Sequence, residues 1–207
     1  MPFENAECEL NEKKSRFIGR MLRVASAAEA AERIAEIKRK HYDATHNVYA
    51  YILRDGGMRY SDDGEPQGTA GMPVLNVLQR ENMSDSLCVV TRYFGGILLG
   101  AGGLSRAYTA AAKQALVKAG VAMLRPHRVL SVSCSYRDYQ LLQNLLVNFG
   151  LCAGDISYDA GVYFFVPVPS ERAEELQGRI GDATAGRAKV ADVGEKYLPE
   201  KINKKFK

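Results

Sequence analysis

The chain contains the segment Arg92-Tyr93-Phe94-Gly95-Gly96-Ile97-Leu98-Leu99-Gly100-Ala101-Gly102-Gly103, in which five of twelve residues are glycine. An apolar run over 87–91 precedes the segment and predicts a buried strand, and apolar residues at helical spacing follow it from 104 to 119. Glycine lets a backbone come close to a ligand or another chain, and the first N–H groups of a helix attract anions. The pattern therefore predicts a strand, a glycine loop and a helix whose start can hold a phosphate or another anion.

Basic residues flank this glycine loop and occur again near the beginning of the chain. The predicted anion- or nucleic-acid-binding set is Arg92, Gly95, Gly96, Gly100, Gly102, Gly103, Ser105 and Arg106, together with Lys13, Lys14 and Arg16. The loop lacks the Gly-Lys-Ser/Thr of a P-loop, and Ser105 stands where a dinucleotide fingerprint has its third glycine. No histidine stands in a recognisable context to make Ser105 a nucleophile. Tight strand-to-helix packing and a charged edge strand are the structural alternatives for these residues.

A polar loop, Ser61-Asp62-Asp63-Gly64-Glu65-Pro66-Gln67-Gly68, holds the tightest acidic cluster in the chain. Its carboxylates could bind Mg²⁺ near a phosphate or transfer a proton, so the candidate metal ligands are Asp62, Asp63 and Glu65. The spacing does not match an EF-hand, and a turn rich in Asp, Gly and Pro needs no function. We expect a functional role for this acidic loop if it folds beside the glycine loop. No cofactor is predicted.

Size and composition indicate an ordinary globular protein of one or two domains. The 207 residues are 46% hydrophobic and 25% charged, and no apolar run approaches the ~20 residues that span a bilayer. The first residues lack the basic and apolar regions of a secretion signal, so we expect a cytoplasmic location and no membrane partner. The four cysteines are far apart and indicate reduced thiols rather than a zinc or dithiol site. A net charge of +4 permits RNA binding but does not require it.

The order of elements predicts an α+β protein with two domains. The first part reads as strands over 3–10 and 15–24, a helix to about 40 with a capping box at Ser26 and Glu29, a strand over 46–53 and a helix over 72–80. After Arg125-Pro126-His127 the pattern becomes strand, helix, strand, strand, helix, strand, which is the ferredoxin-like order. The predicted domains are therefore residues 1–125 and a ferredoxin-like domain over 128–207.

Three motifs together resemble a known family. They are Lys13-Lys14-Ser15-Arg16-Phe17-Ile18, then Ser61-Asp62-Asp63-Gly64-Glu65-Pro66 with Gly68-Thr69-Ala70-Gly71, then Arg92-Tyr93-Phe94-Gly95-Gly96-Ile97-Leu98-Leu99-Gly100 with Gly102-Gly103-Leu104. In this order they look like the bacterial IMPACT/YigZ family, and the resemblance covers essentially the whole chain.

The resemblance implies an N-terminal domain with the fold of the second domain of ribosomal protein S-five, followed by a ferredoxin-like domain. This pair of folds is similar to the fourth and fifth domains of elongation factor G. The N-terminal fold also occurs in small-molecule kinases with a glycine-rich phosphate loop before a helix. Eukaryotic relatives regulate translation by binding a large activator of a stress kinase, a partner that bacteria lack. The resemblance implies no established chemical reaction, and fold alone does not supply one.

Three functions are compatible with these observations. The first is a translation-associated regulatory protein that binds RNA, the ribosome or another phosphate-bearing partner through the glycine loop and basic residues. The second is an enzyme or sensor for a small phosphate-containing ligand, which requires both loops in one pocket. The third is a protein-interaction module, which an exposed apolar patch at the loops would favour.

Overall fold

The computed structural model describes residues 1–204 and 206, which divide into two units. Unit 1 comprises Met1–Met123 together with the residues from Lys201 on, and unit 2 comprises Leu124–Glu200. Each unit has its own antiparallel sheet and its own apolar core, so the predicted α+β class is confirmed. None of the helices in the described residues combines the length and the hydropathy that crossing a membrane requires.

A five-stranded sheet organises unit 1, in the order β1-β2-β5-β3-β4. Its strands are β1 (Ala6–Glu12), β2 (Ser15–Arg23), β3 (His46–Ile52), β4 (Met58–Ser61) and β5 (Ser86–Tyr93). The central strand β5 is buried from Ser86 to Arg92 because helices cover both faces of the sheet. Its apolar character in the sequence follows from this burial on two sides.

Alternate residues of β5 enter two separate cores. Cys88 and Val90 pack with α2 (Gly71–Arg80) and α3 (Gly100–Ala119), whereas Leu87 and Val89 pack with α1 (Ala27–Lys40). The alternation is the period of two that an extended strand imposes on its side chains. The helix α3 packs closely on the sheet because its buried stripe is mostly alanine.

The N-cap predicted for α1 is confirmed, but the predicted capping box is only half formed. The N–H of Glu29 donates to Oγ of Ser26 at 3.2 Å, and the Glu29 carboxylate accepts from the N–H of Ala25 at 2.7 Å. In a complete capping box the Glu29 carboxylate would accept from the N–H of the N-cap residue Ser26 instead of Ala25. The local sequence signal therefore locates the start of the helix but not the partner of the Glu29 carboxylate.

Unit 2 has the predicted ferredoxin-like order of elements. They are β6 (Val121–Cys134), α4 (Tyr136–Asn148), β7 (Gly154–Tyr158), β8 (Val162–Pro169), α5 (Ala173–Thr184) and β9 (Lys189–Ile202). The sheet order is β7-β8-β6-β9, and both helices contribute to one core with the buried residues of β6 and β8. This is the split βαβ arrangement.

The structure differs from the predicted elements in three places. The helix α3 begins at Gly100, four residues before its predicted start, so part of the glycine loop is helical. The exposed edge strand β4 has no pattern that predicts it, because three of its four residues are exposed. The strand β6 begins at Val121 and continues through the predicted boundary, and Ile202, the last residue of β9, packs on the core of unit 1.

Candidate functional site

The β1–β2 hairpin brings two lysines against the glycine loop. Lys13 and Lys14 form the whole turn, and both have positive φ, 45° and 67°. Gly95 lies directly on the Lys14 carbonyl, and a methyl group at Gly95 would overlap that carbonyl and the Ser15 amide. The N–H of Gly95 also donates to Oγ of Ser15 at 3.2 Å. The contact requires glycine at position 95 and holds two exposed lysines beside the loop.

The loop between β5 and α3 exposes apolar side chains next to these lysines. Phe94 and Ile97 are 44% and 42% exposed, and Leu98 is 83% exposed. Gly96 and Gly100 have φ values of 82° and 70°, in the left-handed region that favours glycine. The glycines therefore let the chain turn sharply on both sides of an exposed apolar segment.

The helix α3 begins without a side-chain cap. Leu99 is the N-cap residue, no side chain accepts a hydrogen bond there, and the first turn contains no acidic residue. Gly102 and Gly103 belong to that first turn, and Arg106 is exposed, with its Nη1 3.5 Å from where a Cβ at Gly102 would lie. The positive end of a 20-residue helix is thus left without a compensating side chain.

Arg92 lies inside the protein rather than on this surface. Its Nη1 is 2.6 Å from Oε1 of Glu65, and the two side chains are only 6% and 3% exposed. Its Nη2 donates to Oγ of Ser15 at 3.4 Å, and the guanidinium lies 5.5 Å and 5.4 Å from the ring centres of Phe17 and Phe94. Because its charge is neutralised internally, Arg92 does not contribute to an external anion-binding surface.

Glu65 connects the acidic loop to two other elements. Its Oε1 accepts from Tyr108 of α3 at 2.8 Å as well as from Arg92 of β5. Burial raises the pKa of the Tyr108 phenol well above its ordinary value, and the negative charge of Glu65 raises it further. Tyr108 therefore stays protonated and donates to the carboxylate. Glu65 therefore places the acidic loop against α3 and against β5, the strand that leads into the glycine loop.

Asp62 acts as a remote cap for α2. Its carboxylate accepts from the N–H groups of Gly68 at 2.9 Å, Ala70 at 3.1 Å and Gly71 at 2.7 Å. These donors lie just before and at the start of α2, where backbone N–H groups lack helical partners. The spacing of Asp62 from Gly71 therefore reflects helix capping across a loop.

Asp63 joins the acidic loop to α1 and β3. Its Oδ1 is 2.5 Å from Nζ of Lys38, and its Oδ2 accepts from the N–H of Asn47 at 2.6 Å. The hydroxyl of Ser61 accepts from the Asp63 N–H, and Gly64 continues the turn at a φ of 89°. In the part of the chain that the structure describes, no group of three or more His, Cys, Asp or Glu side chains is arranged to hold a metal ion.

Arg16 and Ser105 lie in surroundings that differ from those expected. Arg16 pairs with Glu9 at 2.7 Å, a contact that raises the pKa of Arg16 and lowers that of Glu9. Ser105 lines a groove between α2 and α3 instead of the glycine loop. Of the predicted anion-binding side chains, Lys13, Lys14 and Arg106 are thus exposed and without a carboxylate partner among the described residues.

A partly buried polar network on the α1 side of the sheet has no counterpart among the predicted site residues. Arg20 donates to Glu7 at 2.7 Å and to Thr91 at 2.9 Å, and its Nη2 lies 2.6 Å from Nε2 of His41. Arginine can only donate, so His41 Nε2 accepts and its neutral tautomer carries the proton on Nδ1.

The network continues from His41 to the end of β5. His41 Nδ1 is 2.9 Å from the hydroxyl of Tyr93, which donates to Asp43 at 3.1 Å. Burial lowers the pKa of His41, and the positive charge of Arg20 lowers it further. Histidine followed by Tyr and Asp gives no recognisable motif, so only the fold reveals this arrangement.

Two family models match the chain. The Impact N-terminal domain matches residues 13–116, and a domain of unknown function, DUF1949, matches residues 132–187. The first range contains the lysine turn, the acidic loop and the glycine loop, and the second covers most of unit 2.

Similar proteins cover nearly the full length. The chain is 37% identical over 202 residues to the IMPACT family member YvyE of Bacillus subtilis (strain 168), covering 97% of this chain and 93% of that protein. It is 35% identical over 191 residues to the IMPACT family member YigZ of Escherichia coli (strain K12), covering 88% and 92%. A crystal structure of an hypothetical protein covers 94% of this chain and 96% of that chain, with 29% identity and a TM-score of 0.59.

Proposed function

The chain belongs to the IMPACT family, and from that premise we propose that it is a cytoplasmic regulatory protein of translation that works by binding rather than by catalysis. Its partner is RNA, free or within the ribosome, whose phosphates contact the surface made by the Lys13-Lys14 turn, the glycine loop and the first turn of α3. We call this the lysine–glycine surface.

The contact between Gly95 and the Lys14 carbonyl is the observation that carries this proposal. It brings two exposed lysines against a loop whose glycines leave the backbone accessible, and that loop leads directly into the uncapped start of α3. Lysine side chains and helix N–H groups are the donors that phosphates attract. The exposed Arg106 adds a third cation near the same helix turn.

The distribution of charge also supports unit 1 as the RNA-binding part. Unit 1 carries 20 Lys and Arg against 14 Asp and Glu, a net charge of +6, whereas unit 2 carries 8 against 10. The net charge of +4 is therefore the sum of a basic unit and a slightly acidic unit. A basic unit raises the local concentration of a polyanion and speeds its association.

Phe94 gives the surface a way to contact bases as well as phosphates. Its ring is 44% exposed and lies over the buried guanidinium of Arg92. The backbone is fixed on the sheet side, since the N–H of Phe94 donates to Oγ1 of Thr45 at 3.0 Å. An aromatic ring held in place beside lysines is typical of proteins that stack single-stranded bases.

The contacts of the acidic loop favour a role in binding over a role in catalysis. Each of its three carboxylates already accepts hydrogen bonds from the protein, and Glu65 is buried against Arg92 and Tyr108. A general base or a metal ligand needs a carboxylate that can reach the substrate or the ion. We therefore assign these residues a structural role, which is to hold the loops together.

The test is RNA binding measured by fluorescence anisotropy with a labelled single-stranded RNA, at KCl concentrations from about 50 to 300 mM. We expect the Lys13→Gln/Lys14→Gln double variant to bind about tenfold more weakly at low salt, with a slope of log K against log[salt] smaller by about 1.4. The matched control is Lys189→Gln/Lys196→Gln, which removes two exposed lysines from unit 2.

Three results would contradict the proposal: no RNA binding at low salt, binding that does not depend on salt, or equal losses in the two double variants. Cosedimentation with purified bacterial ribosomes, abolished by the Lys13→Gln/Lys14→Gln change, would identify the RNA as ribosomal. A partner that stays bound at high salt through Ile97 and Leu98 would instead favour a protein-interaction module.

A further inference from the structure

A groove between α2 and α3 lies apart from the lysine–glycine surface and has its own chemistry. Its cavity volume is about 290 Å³. The α3 wall contributes Ser105, Thr109 and Lys113, and the α2 wall contributes Asn76 and Arg80. Hydroxyl, amide and basic groups therefore face a common space at the surface of unit 1.

The wall from α3 is a polar stripe at regular spacing. Ser105, Thr109 and Lys113 follow one another every four residues, so they lie on one face of the helix and extend over about 12 Å. All three are half-buried, whereas the neighbouring stripe that includes Leu104 and Tyr108 is fully packed into the core. The sequence predicts the apolar stripe of α3 but does not indicate what its polar neighbours would line.

The charges of the groove favour an anion. Arg80 is exposed and has no ion pair among the described residues. Lys113 is the other basic residue in the lining, and it already has an interaction partner. Among the lining residues the single carboxylate is Glu81, which is buried and has its Oε2 3.1 Å from Nζ of Lys204. Because that carboxylate is paired with Lys204, it adds no uncompensated negative charge to the groove.

We propose that this groove binds a small phosphate monoester whose body carries hydroxyl groups. The planar guanidinium of Arg80 suits two oxygens of a phosphate. Ser105, Thr109 and Asn76 exchange hydrogen bonds with the hydroxyls of the ligand. A volume of about 290 Å³ is at the small end for ligand sites, so the ligand is compact, of the size of a triose or pentose phosphate.

The groove goes beyond the proposed RNA binding and does not depend on it. Ser105 and Arg106 are consecutive, yet Ser105 lines the groove and Arg106 belongs to the lysine–glycine surface. Single substitutions of Arg80 and of Arg106 therefore distinguish binding in the groove from binding at the lysine–glycine surface. Both are exposed arginines on helices of unit 1, so the two changes remove the same charge.

The experiment is isothermal titration calorimetry of the full chain with glycerol 3-phosphate, inorganic phosphate and glycerol, each at up to about 10 mM, with thermal stabilisation as a second readout. We expect the phosphate ester to bind, glycerol not to bind, and Arg80→Gln to weaken ester binding at least tenfold. Arg106→Gln is the matched control and should bind the ester as the parent protein does.

The variant Ser105→Ala/Thr109→Ala separates the phosphate contacts from the hydroxyl contacts. It should weaken glycerol 3-phosphate binding and leave inorganic phosphate binding unchanged. The inference is overturned if neither phosphate compound binds, if Arg80→Gln binds the ester as well as the parent protein, or if Arg106→Gln loses as much affinity as Arg80→Gln. Unchanged circular dichroism spectra of the variants exclude misfolding as the cause of a loss.

Discussion

Arg92 and Glu65 form a buried ion pair, with Nη1 of the arginine 2.6 Å from Oε1 of the glutamate. The hydroxyl of Tyr108 donates to the same oxygen at 2.8 Å. The Glu65 carboxylate thus links the acidic loop to the central strand β5 and to α3. Removing charges from water is costly, and mutual attraction offsets that cost only while both partners are present.

The first prediction concerns this pair. Glu65→Gln keeps the size of the side chain but leaves the Arg92 guanidinium buried without a counter-charge. We expect the free energy of unfolding to fall by about 3 kcal/mol or more. Urea denaturation followed by circular dichroism measures this as a lower midpoint.

The exposed pair of Arg16 and Glu9 provides the control. Glu9→Gln removes a carboxylate that lies at a similar distance from its arginine, 2.7 Å, but both side chains of this pair are nearly half exposed. Solvent-exposed pairs contribute little, so the midpoint should not change measurably. Equal effects of Glu9→Gln and Glu65→Gln would mean that the buried pair does not hold the acidic loop in place.

The second prediction concerns Gly95. A methyl group there would overlap the carbonyl of Lys14, which is backbone and cannot turn away as a flexible side chain does. Gly95→Ala should therefore separate the lysine turn from the glycine loop, lower the free energy of unfolding by about 1–3 kcal/mol, and weaken RNA binding. Denaturation and anisotropy measure the two effects on the same sample.

Gly102→Ala is the matched control on the helical side of the same loop. Its φ is not in the left-handed region, and a Cβ there would make an ordinary contact, 3.5 Å from Nη1 of Arg106. Alanine favours a helix over glycine by up to about 1 kcal/mol, so this variant should be as stable as the parent protein or more stable. A greater loss of stability from Gly102→Ala than from Gly95→Ala would contradict the packing described.

Local signals predicted the parts of the fold that depend on local physics. The apolar stripe of α3 and the Ser26 N-cap of α1 follow from spacing within one helix, and both are confirmed. The sequence places the start of α3 four residues too late because glycines indicate a loop. Packing of the helix on the sheet outweighs the propensity of Gly100, Gly102 and Gly103.

The candidate site depends on contacts between residues that are far apart in the chain, and local sequence patterns do not indicate such contacts. Arg92 has the same local context whether it faces solvent or Glu65, a partner 27 residues away in the chain. Ser105 is one residue from Arg106, yet helix geometry directs it to the groove with α2. The residue types of the acidic and glycine loops could be read from the sequence, but the pairing of the acidic-loop carboxylates with groups inside the protein could not.

The third prediction is a dependence of stability on pH from His41. Its pKa in the folded protein is lowered by burial first and then by Arg20 and Lys40, while Glu7 and Asp43 raise it by less. In the unfolded chain the pKa returns to about 6.5, so the unfolded state binds the proton more readily. The contribution of this group to the free energy of unfolding is therefore present above about pH 6.5 and decreases as pH falls through that value towards the folded pKa.

Unfolding free energies at about pH 7.5 and pH 5.5 test this. The decrease between the two should be larger in the parent protein than in His41→Gln, which cannot be protonated but can still accept from Arg20. A titration of the His41 ring signals by NMR reports the folded pKa directly. A folded value above that of a model peptide would contradict the sign of the effect.

The last prediction concerns the turn of Lys13 and Lys14. Both residues have positive φ, a conformation that costs most side chains energy and that Asn-Gly adopts readily in two-residue hairpins. The double change Lys13→Asn/Lys14→Gly should therefore raise the free energy of unfolding by about 1 kcal/mol. The same change should weaken RNA binding, because it removes two charges from the lysine–glycine surface. Denaturation and anisotropy measure the two effects.

Comparison with Lys13→Gln/Lys14→Gln separates charge from conformation. The glutamine variant keeps the strained backbone and removes the charges, so it should lose RNA affinity without gaining stability. If the Asn-Gly variant is more stable and the two variants bind RNA equally weakly, then lysine at this turn costs stability and serves binding. Local rules of turn chemistry are broken most readily where a side chain is needed for function. An Asn-Gly variant that binds RNA as tightly as the parent protein would remove the lysines from the binding surface.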